Sequence, residues 1–161
     1  MLELFDYLQP MRAALLLSVP AMYVVAALLA SWRVARFVSA LAVGFSAASL
    51  ALVAVGGPLI VYGLRADALG CIVLLLVCFI GWVITRYSQT YMGGDAGQTR
   101  YARWLMATLA AVTVVVVTNH LAVLAAAWLV TSLALHQLLT FFSTRPAAKL
   151  VASHAAANTA R

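Results

Sequence analysis

The residues best suited to chemistry lie inside one long apolar stretch, Leu121–Phe142. It is long enough to cross a bilayer, since a spanning helix needs roughly 20 mostly apolar residues, yet it contains His136. On a helix, this histidine shares one face with Trp128, Ser132 and Thr140, because these residues recur at every fourth position. An ionisable side chain inside a span is costly and usually faces protein or a water-filled path. The stripe therefore predicts either a proton-relay surface or a packing seam.

The sequence alone leaves two interpretations of His136 open. In the functional interpretation, His136 passes protons, because an imidazole can gain and lose a proton near neutral pH. Ser132, one turn earlier, would then orient the imidazole or a water molecule. In the structural interpretation, a neutral imidazole hydrogen-bonds a neighbouring helix, and Ser132 bonds the backbone carbonyl four residues before it.

Charged residues near the ends of the apolar runs give further candidates. Asp67 is either a proton entry point or an acid that caps the helix following it. Arg86, Arg100 and Arg103 border a tyrosine-rich connection. Membrane topology explains these arginines, and they also form a candidate docking surface for a soluble partner, because surface charges steer association.

The composition and motifs exclude several other functions. Hydrophobic residues make up 66% of the 161 residues and charged residues only 9%, whereas soluble domains contain about 25% charged residues. The net charge of +6 comes from short connections between apolar runs, so no nucleic-acid partner is expected. Cys71 and Cys78 lack a Cys-x-x-Cys pattern and a nearby histidine, so no metal site is expected. Without a nucleophile–base pair, paired carboxylates, a phosphate loop or a flavin motif, we expect neither catalytic residues nor a cofactor.

Five apolar runs predict an all-α integral membrane protein. The spans are expected at about residues 13–31, 37–55, 68–85, 101–120 and 121–142. Residues 1–142 would form one transmembrane bundle. The polar, alanine-rich tail 143–161 would lie in the cytoplasm and could begin a further helix.

The basic residues predict how these spans are oriented. With the N-terminus outside, eight basic residues fall in inside segments and two, Arg12 and Arg65, in outside segments. Because arginine and lysine accumulate on the cytoplasmic side, we expect an outside N-terminus and a cytoplasmic C-terminus. The eight inside residues are Arg33, Arg36, Arg86, Arg100, Arg103, Arg145, Lys149 and Arg161.

From Pro58 onward, the chain resembles the N-terminal part of a superfamily of proton-translocating membrane subunits. PLIVYGLRADALG is similar to the start of the family's third span, and Tyr87 opens a Y-S-x-x-Y-M loop typical of the family. VTNHLAVLAAAWLVTSLALHQLL is similar to its short outer turn and fifth span. The superfamily includes subunit L of NADH-quinone oxidoreductase and an Mrp-type antiporter subunit. SLALHQLLTFFSTRPAA most resembles its DabB branch, the membrane subunit of an inorganic-carbon pump.

The resemblance implies a multi-pass subunit of the bacterial inner membrane. Such a subunit would contact lipid and other membrane helices, and would couple protons to bicarbonate or CO2 accumulation through a soluble, zinc-containing, DabA-like partner. The respiratory and antiporter relatives carry a proton-handling Glu after the Trp of span five, whereas Leu129 follows Trp128 here. The hypothesis is that His136, two turns further on, takes over that role.

Two alternatives to the carbon pump stay open at this point. One is a proton- or cation-translocating subunit of a respiratory or Mrp-type antiporter complex, against which the missing Glu argues. The other is a truncated fragment or an assembly module that does not transport. In none of these cases do we expect the chain itself to be an enzyme.

Overall fold

The computed structural model describes residues 2–61, 63–93 and 97–140. Five helices account for most of these residues, and all five are long and apolar enough to cross a membrane. The predicted all-α membrane fold is therefore confirmed, while the orientation across the bilayer stays a prediction and the tail lies outside the described residues. The helices are α1 (Leu2–Leu29), α2 (Trp32–Gly56), α3 (Ala68–Tyr91), α4 (Gln98–Val117) and α5 (Leu121–Thr140).

A short β-hairpin, which the sequence did not predict, connects α2 to α3. Its strands β1 (Leu59–Val61) and β2 (Leu64–Ala66) pair antiparallel. Gly57 and Gly63 adopt φ angles of 73° and 76°, a region that glycine enters without steric cost. These two glycines turn the chain before the first strand and between the strands.

The hairpin also determines where α4 ends. Thr118 forms a bridge with Leu64, and the Asn119 N–H donates to the Gly63 carbonyl at 2.8 Å. The backbone after Val117 thus pairs with the hairpin instead of continuing the helix. As a result α4 ends at Val117, three residues before the predicted end of the fourth span at residue 120.

The helices pack as a bundle in which α5 is peripheral. α1 packs on α2 and α4, α3 packs between α2 and α4, and α5 packs on α4. The buried face of α2 carries hydroxyls, which donate to their own helix; Ser46 Oγ, for example, lies 2.9 Å from the Val43 carbonyl. Polar side chains are therefore buried in this bundle without breaking its backbone hydrogen bonds.

One ridge of small residues on α2 is left exposed. Ala40, Gly44 and Ala48 form a ridge of small residues that would allow close helix approach, but all three are exposed. A Cβ at Gly44 would meet nothing within 4 Å. The buried face of α2 is the one that carries Ser39 and Ser46. Ala40 and Gly44 lie on a different face, because adjacent helix positions point about 100° apart. Close approach occurs at Gly81, where a Cβ would lie 2.7 Å from Leu109 Cδ2.

Candidate functional site

The stripe predicted on α5 faces away from α1–α4. Trp128 is 64% exposed and Leu129 is 65% exposed, and Ser132 and His136 are exposed as well. The opposite face of α5 contributes its buried residues, Ala127 and Ala134. α5 therefore packs through small residues and leaves its largest and most polar side chains without cover from the described helices.

The hydroxyls of α5 bond their own backbone. Ser132 Oγ donates to the Trp128 carbonyl at 3.1 Å, and Thr140 Oγ1 donates to the His136 carbonyl at 2.8 Å. The bond from Ser132 is the one expected in the structural interpretation of this residue, because its hydroxyl donates to its own helix. In the part of the chain that the structure describes, the His136 imidazole has no hydrogen-bond partner.

Asp67 and His136 lie at opposite ends of the bundle. Asp67 immediately precedes α3, next to the hairpin that pairs with the α4–α5 turn. His136 comes 15 residues after Leu121, where α5 begins at that turn, which corresponds to about 22 Å of helix. The structure therefore does not bring these two relay candidates together.

Asp67 has the geometry of a helix cap. Its Oδ1 accepts from the Gly70 N–H at 2.7 Å, and its Oδ2 lies 3.1 Å from Arg65 Nη2. The bond from Gly70, followed by the interaction with Arg65, holds the pKa of the Asp67 carboxyl below its usual range despite some desolvation. Because a carboxylate that stays ionised exchanges protons poorly near neutral pH, this geometry favours the capping interpretation.

The three arginines predicted to dock a partner fall into two sets. Arg86 lies over the Trp82 ring, with its Cζ 5.6 Å from the ring centre, and it lines a groove between α2 and α3. Arg100 and Arg103 are exposed on the first turns of α4 and do not line that groove. Arg86 therefore lies in a groove that Arg100 and Arg103 do not share.

A buried arginine is the clearest feature that the sequence analysis missed. Arg12 is only 7% exposed, although the topology count treated it as an outside residue. Its guanidinium donates to the carbonyls of Leu52, Gly56 and Gly57 at 3.3, 3.4 and 2.6 Å. These carbonyls end α2, where the helix dipole favours a cation. An arginine near the start of a long apolar run was the available signal.

A second buried polar group lies between α1, α2 and α3. The Tyr23 side chain is fully buried, and its hydroxyl has the Cys78 thiol as a polar neighbour, with Ser46 nearby. Cys71 and Cys78 are both buried and unbridged on α3. Across residues 2–61, 63–93 and 97–140, no three His, Cys, Asp or Glu residues gather in a way that could hold a metal ion.

Comparison with known proteins identifies related sequences. Residues 52–102 match the family described as the N-terminus of chain 5 of NADH-ubiquinone oxidoreductase (complex I). The chain is 50% identical over 82 residues to the "probable inorganic carbon transporter subunit DabB" of Hydrogenovibrio crunogenus, which covers 50% of this chain and 16% of that protein. A second probable inorganic carbon transporter subunit of the DabB type, from Halothiobacillus neapolitanus, is 34% identical over 96 residues, or 60% and 17% of the two chains.

A respiratory protein is related as well. The NADH-quinone oxidoreductase subunit L of Mycobacterium tuberculosis is 31% identical over 100 residues, covering 62% of this chain and 16% of that protein. The matched stretch thus spans only 16% or 17% of each relative. These matches confirm the predicted resemblance to the superfamily of DabB and subunit L. Together with the five candidate spans, they define a multi-pass protein of the bacterial inner membrane.

The matched family segment does not include the α5 candidates. Residues 52–102 run from the end of α2 through the hairpin and α3 to the start of α4. Asp67, Arg86 and Arg100 lie inside this segment, whereas Ser132 and His136 follow it. The roles of all these residues remain predictions.

Proposed function

We propose that this chain forms part of the proton-translocating membrane subunit of an inorganic-carbon transporter. Its 50% identity to a probable DabB subunit supports the assignment to that class. The observation that carries the proposal is the exposed polar face of α5, with His136 near its C-terminal end. This face carries the His136 imidazole at a position that α1–α4 leave exposed.

The exposed face of α5 needs protein or water beside it. An ionisable or strongly polar group in direct contact with hydrocarbon is unfavourable, so such groups usually face a bundle interior or an aqueous path. Since α1–α4 leave Ser132 and His136 uncovered, other helices of the assembly would complete the wall opposite α5. The chain would then supply one side of the proton path.

His136 takes the place of the missing carboxylate in this proposal. Leu129 stands where the respiratory and antiporter relatives are expected to carry Glu, and it lies on the same exposed face as His136, two turns away. Protons would move through the imidazole. The Ser132 hydroxyl donates a hydrogen bond to the Trp128 carbonyl, and its oxygen can still accept a hydrogen bond from the imidazole or a water molecule.

A soluble, zinc-containing, DabA-like protein is the partner that we propose for the cytoplasmic side. Arg100 and Arg103 offer exposed positive charge on the first turns of α4, and Arg86 lies on the same predicted side. Rim charges act mainly on the association rate and its salt dependence. Co-purification tests this part of the proposal. We expect a protein that contains zinc to purify with this chain, and we expect less of it with the double variant Arg100→Gln, Arg103→Gln.

Uptake of labelled bicarbonate tests the relay directly. The chain is expressed together with the gene products encoded beside it, and uptake is compared between wild type and His136→Gln. We expect at least a tenfold loss, because general acid–base groups contribute about 10²–10⁴ in rate. His120→Gln is the matched control, since His120 is exposed in the α4–α5 turn outside the span. Normal uptake by His136→Gln would refute the relay role.

A respiratory or Mrp-type antiporter subunit is the second candidate. The 31% identity to NADH-quinone oxidoreductase subunit L supports it. Cation-dependent proton movement in membrane vesicles, without bicarbonate uptake, would favour this candidate. If His136→Gln alters assembly but not any flux, the chain acts as a non-transporting assembly module.

A further inference from the structure

A groove with three arginines opens between α2 and α3, at the end of the bundle predicted to face the cytoplasm. It is formed where the start of α2 lies beside the second half of α3. Its volume is about 370 Å³, and it is lined by Arg33, Arg36, Phe37, Ala40, Trp82 and Arg86.

The charge in this groove has no counterpart in the described residues. Arg33, Arg36 and Arg86 are all exposed, and the ion pair found in the described ranges joins Arg65 to Asp67 at the other end of the bundle. Asp95, in the connection after α3, lies outside the described residues. Three guanidinium groups arriving from two helices repel one another, and an anion between them relieves that repulsion. Phosphate fits this arrangement, because guanidinium binds phosphate oxygens through paired hydrogen bonds.

The groove changes from charged to apolar along the helix axes. Arg33 and Ala40 are seven residues apart on α2, or about 10 Å. On α3, the Arg86 guanidinium stacks over the Trp82 ring at 5.6 Å, a cation–π arrangement that holds the charge near the groove. Phe37 is 67% exposed along the same wall. A soluble anion would use only the charged end, whereas an amphiphile would use both ends.

We propose that this groove binds an anionic phospholipid. The headgroup phosphate lies among Arg33, Arg36 and Arg86, and an acyl chain runs along Phe37 and Ala40 toward the hydrocarbon core. Trp82, one turn before Arg86 on α3, lines the groove beside that guanidinium, and indole rings are enriched at the headgroup boundary of membrane proteins. This assignment does not depend on which ion or solute the assembly transports.

Native mass spectrometry of the full chain, purified in a neutral detergent, tests the proposal. Phosphatidylglycerol and phosphatidylcholine are added in equal amounts, and the retained adducts are compared. We expect preferential retention of phosphatidylglycerol. Each arginine changed to Gln should weaken it about fivefold, as expected for a basic residue near an anionic headgroup. Replacing all three arginines by Lys should keep the preference for phosphatidylglycerol but weaken its retention, because the positive charge remains while the paired hydrogen bonds of guanidinium are lost.

The controls separate this site from general positive charge. Arg103→Gln removes an exposed arginine on the same predicted side without altering the groove, and should leave retention unchanged. Circular dichroism checks that each variant stays helical. If a variant with all three arginines changed to Gln does not fold, the single Arg36→Gln variant gives the measurement. Equal retention of the two lipids, or an equal loss in Arg103→Gln, would overturn the proposal. Displacement of phosphatidylglycerol by inorganic phosphate would also overturn it and assign the groove to a soluble anion.

Discussion

Replacing Arg12 by Met should destabilise the bundle more than any change at an exposed arginine. The guanidinium is 7% exposed and ties α1 to the end of α2 through three carbonyls. Met keeps an apolar side chain of similar length but cannot donate to Leu52, Gly56 or Gly57. These partly buried carbonyls would lose their side-chain donor, and an acceptor left unsatisfied costs free energy.

The size of the effect follows from the geometry. One contact, to the Gly57 carbonyl, is short at 2.6 Å, and the other two are long at 3.3 and 3.4 Å. A hydrogen bond to a charged group contributes about 1.5–3 kcal/mol, and a cation at a helix C-terminus adds about 0.3–1 kcal/mol. We therefore expect Arg12→Met to lower the free energy of unfolding by about 2–4 kcal/mol. Arg12→Lys keeps the charge with fewer donors in reach, so its free energy of unfolding should fall by about half as much.

Unfolding by SDS in mixed micelles, followed by circular dichroism, measures these changes. Arg65→Met is the matched control, because Arg65 lies at the same end of the bundle but its side chain is 57% exposed, where ion pairs contribute little. If Arg12→Met unfolds at the same SDS fraction as Arg65→Met, the buried guanidinium does not hold α1 to α2 as the structure indicates.

The remaining predictions concern the start of α3 and the packing of α2 and α3. Asp67→Ala should speed hydrogen exchange of the Gly70 amide, whereas Asp67→Asn should retain protection because Asn also caps helices. Because the folded pKa of Asp67 is lowered, its capping contribution is present above the usual Asp pKa and is lost as the pH falls through the lowered value. If the Gly70 amide shift, followed by NMR, titrates with the usual pKa of an Asp carboxyl, this prediction is wrong. Gly81→Leu should cost about 1–3 kcal/mol by overpacking against Leu109. Gly44→Ala should gain up to about 1 kcal/mol of helix stability, and equal losses at both glycines in SDS unfolding would contradict the observed packing.

The number and type of the main elements could be predicted from hydropathy. A span must satisfy its backbone internally and present apolar side chains to lipid, so each long apolar run predicts a helix. The first run was drawn from residue 13, whereas α1 begins at Leu2. The hairpin Leu59–Ala66 was missed, because strands of three residues carry no usable periodicity. Its pairing with Thr118 joins segments more than 50 residues apart.

The candidate site was only partly predictable. His136 and Ser132 were found as polar residues in an apolar span, and Asp67 as an acid at a helix start. The division of the arginines depended on the tertiary structure, because Arg33 and Arg86 are distant in sequence and meet only when α2 packs on α3. Arg12 could be seen in the sequence, but its partners at the end of α2 could not.

By itself, the sequence determined that this chain lies in a membrane, that its described residues contain five long apolar helices, and that it resembles DabB and subunit L. The physical reason is that the bilayer imposes length and polarity on each segment separately. The tertiary structure decided which face of each helix is buried. In lipid, both faces of a helix are apolar, so amphipathic periodicity no longer marks the inside. It is therefore packing that turns the Gly44 ridge and the His136 stripe outward and leaves α5 with an uncovered polar face.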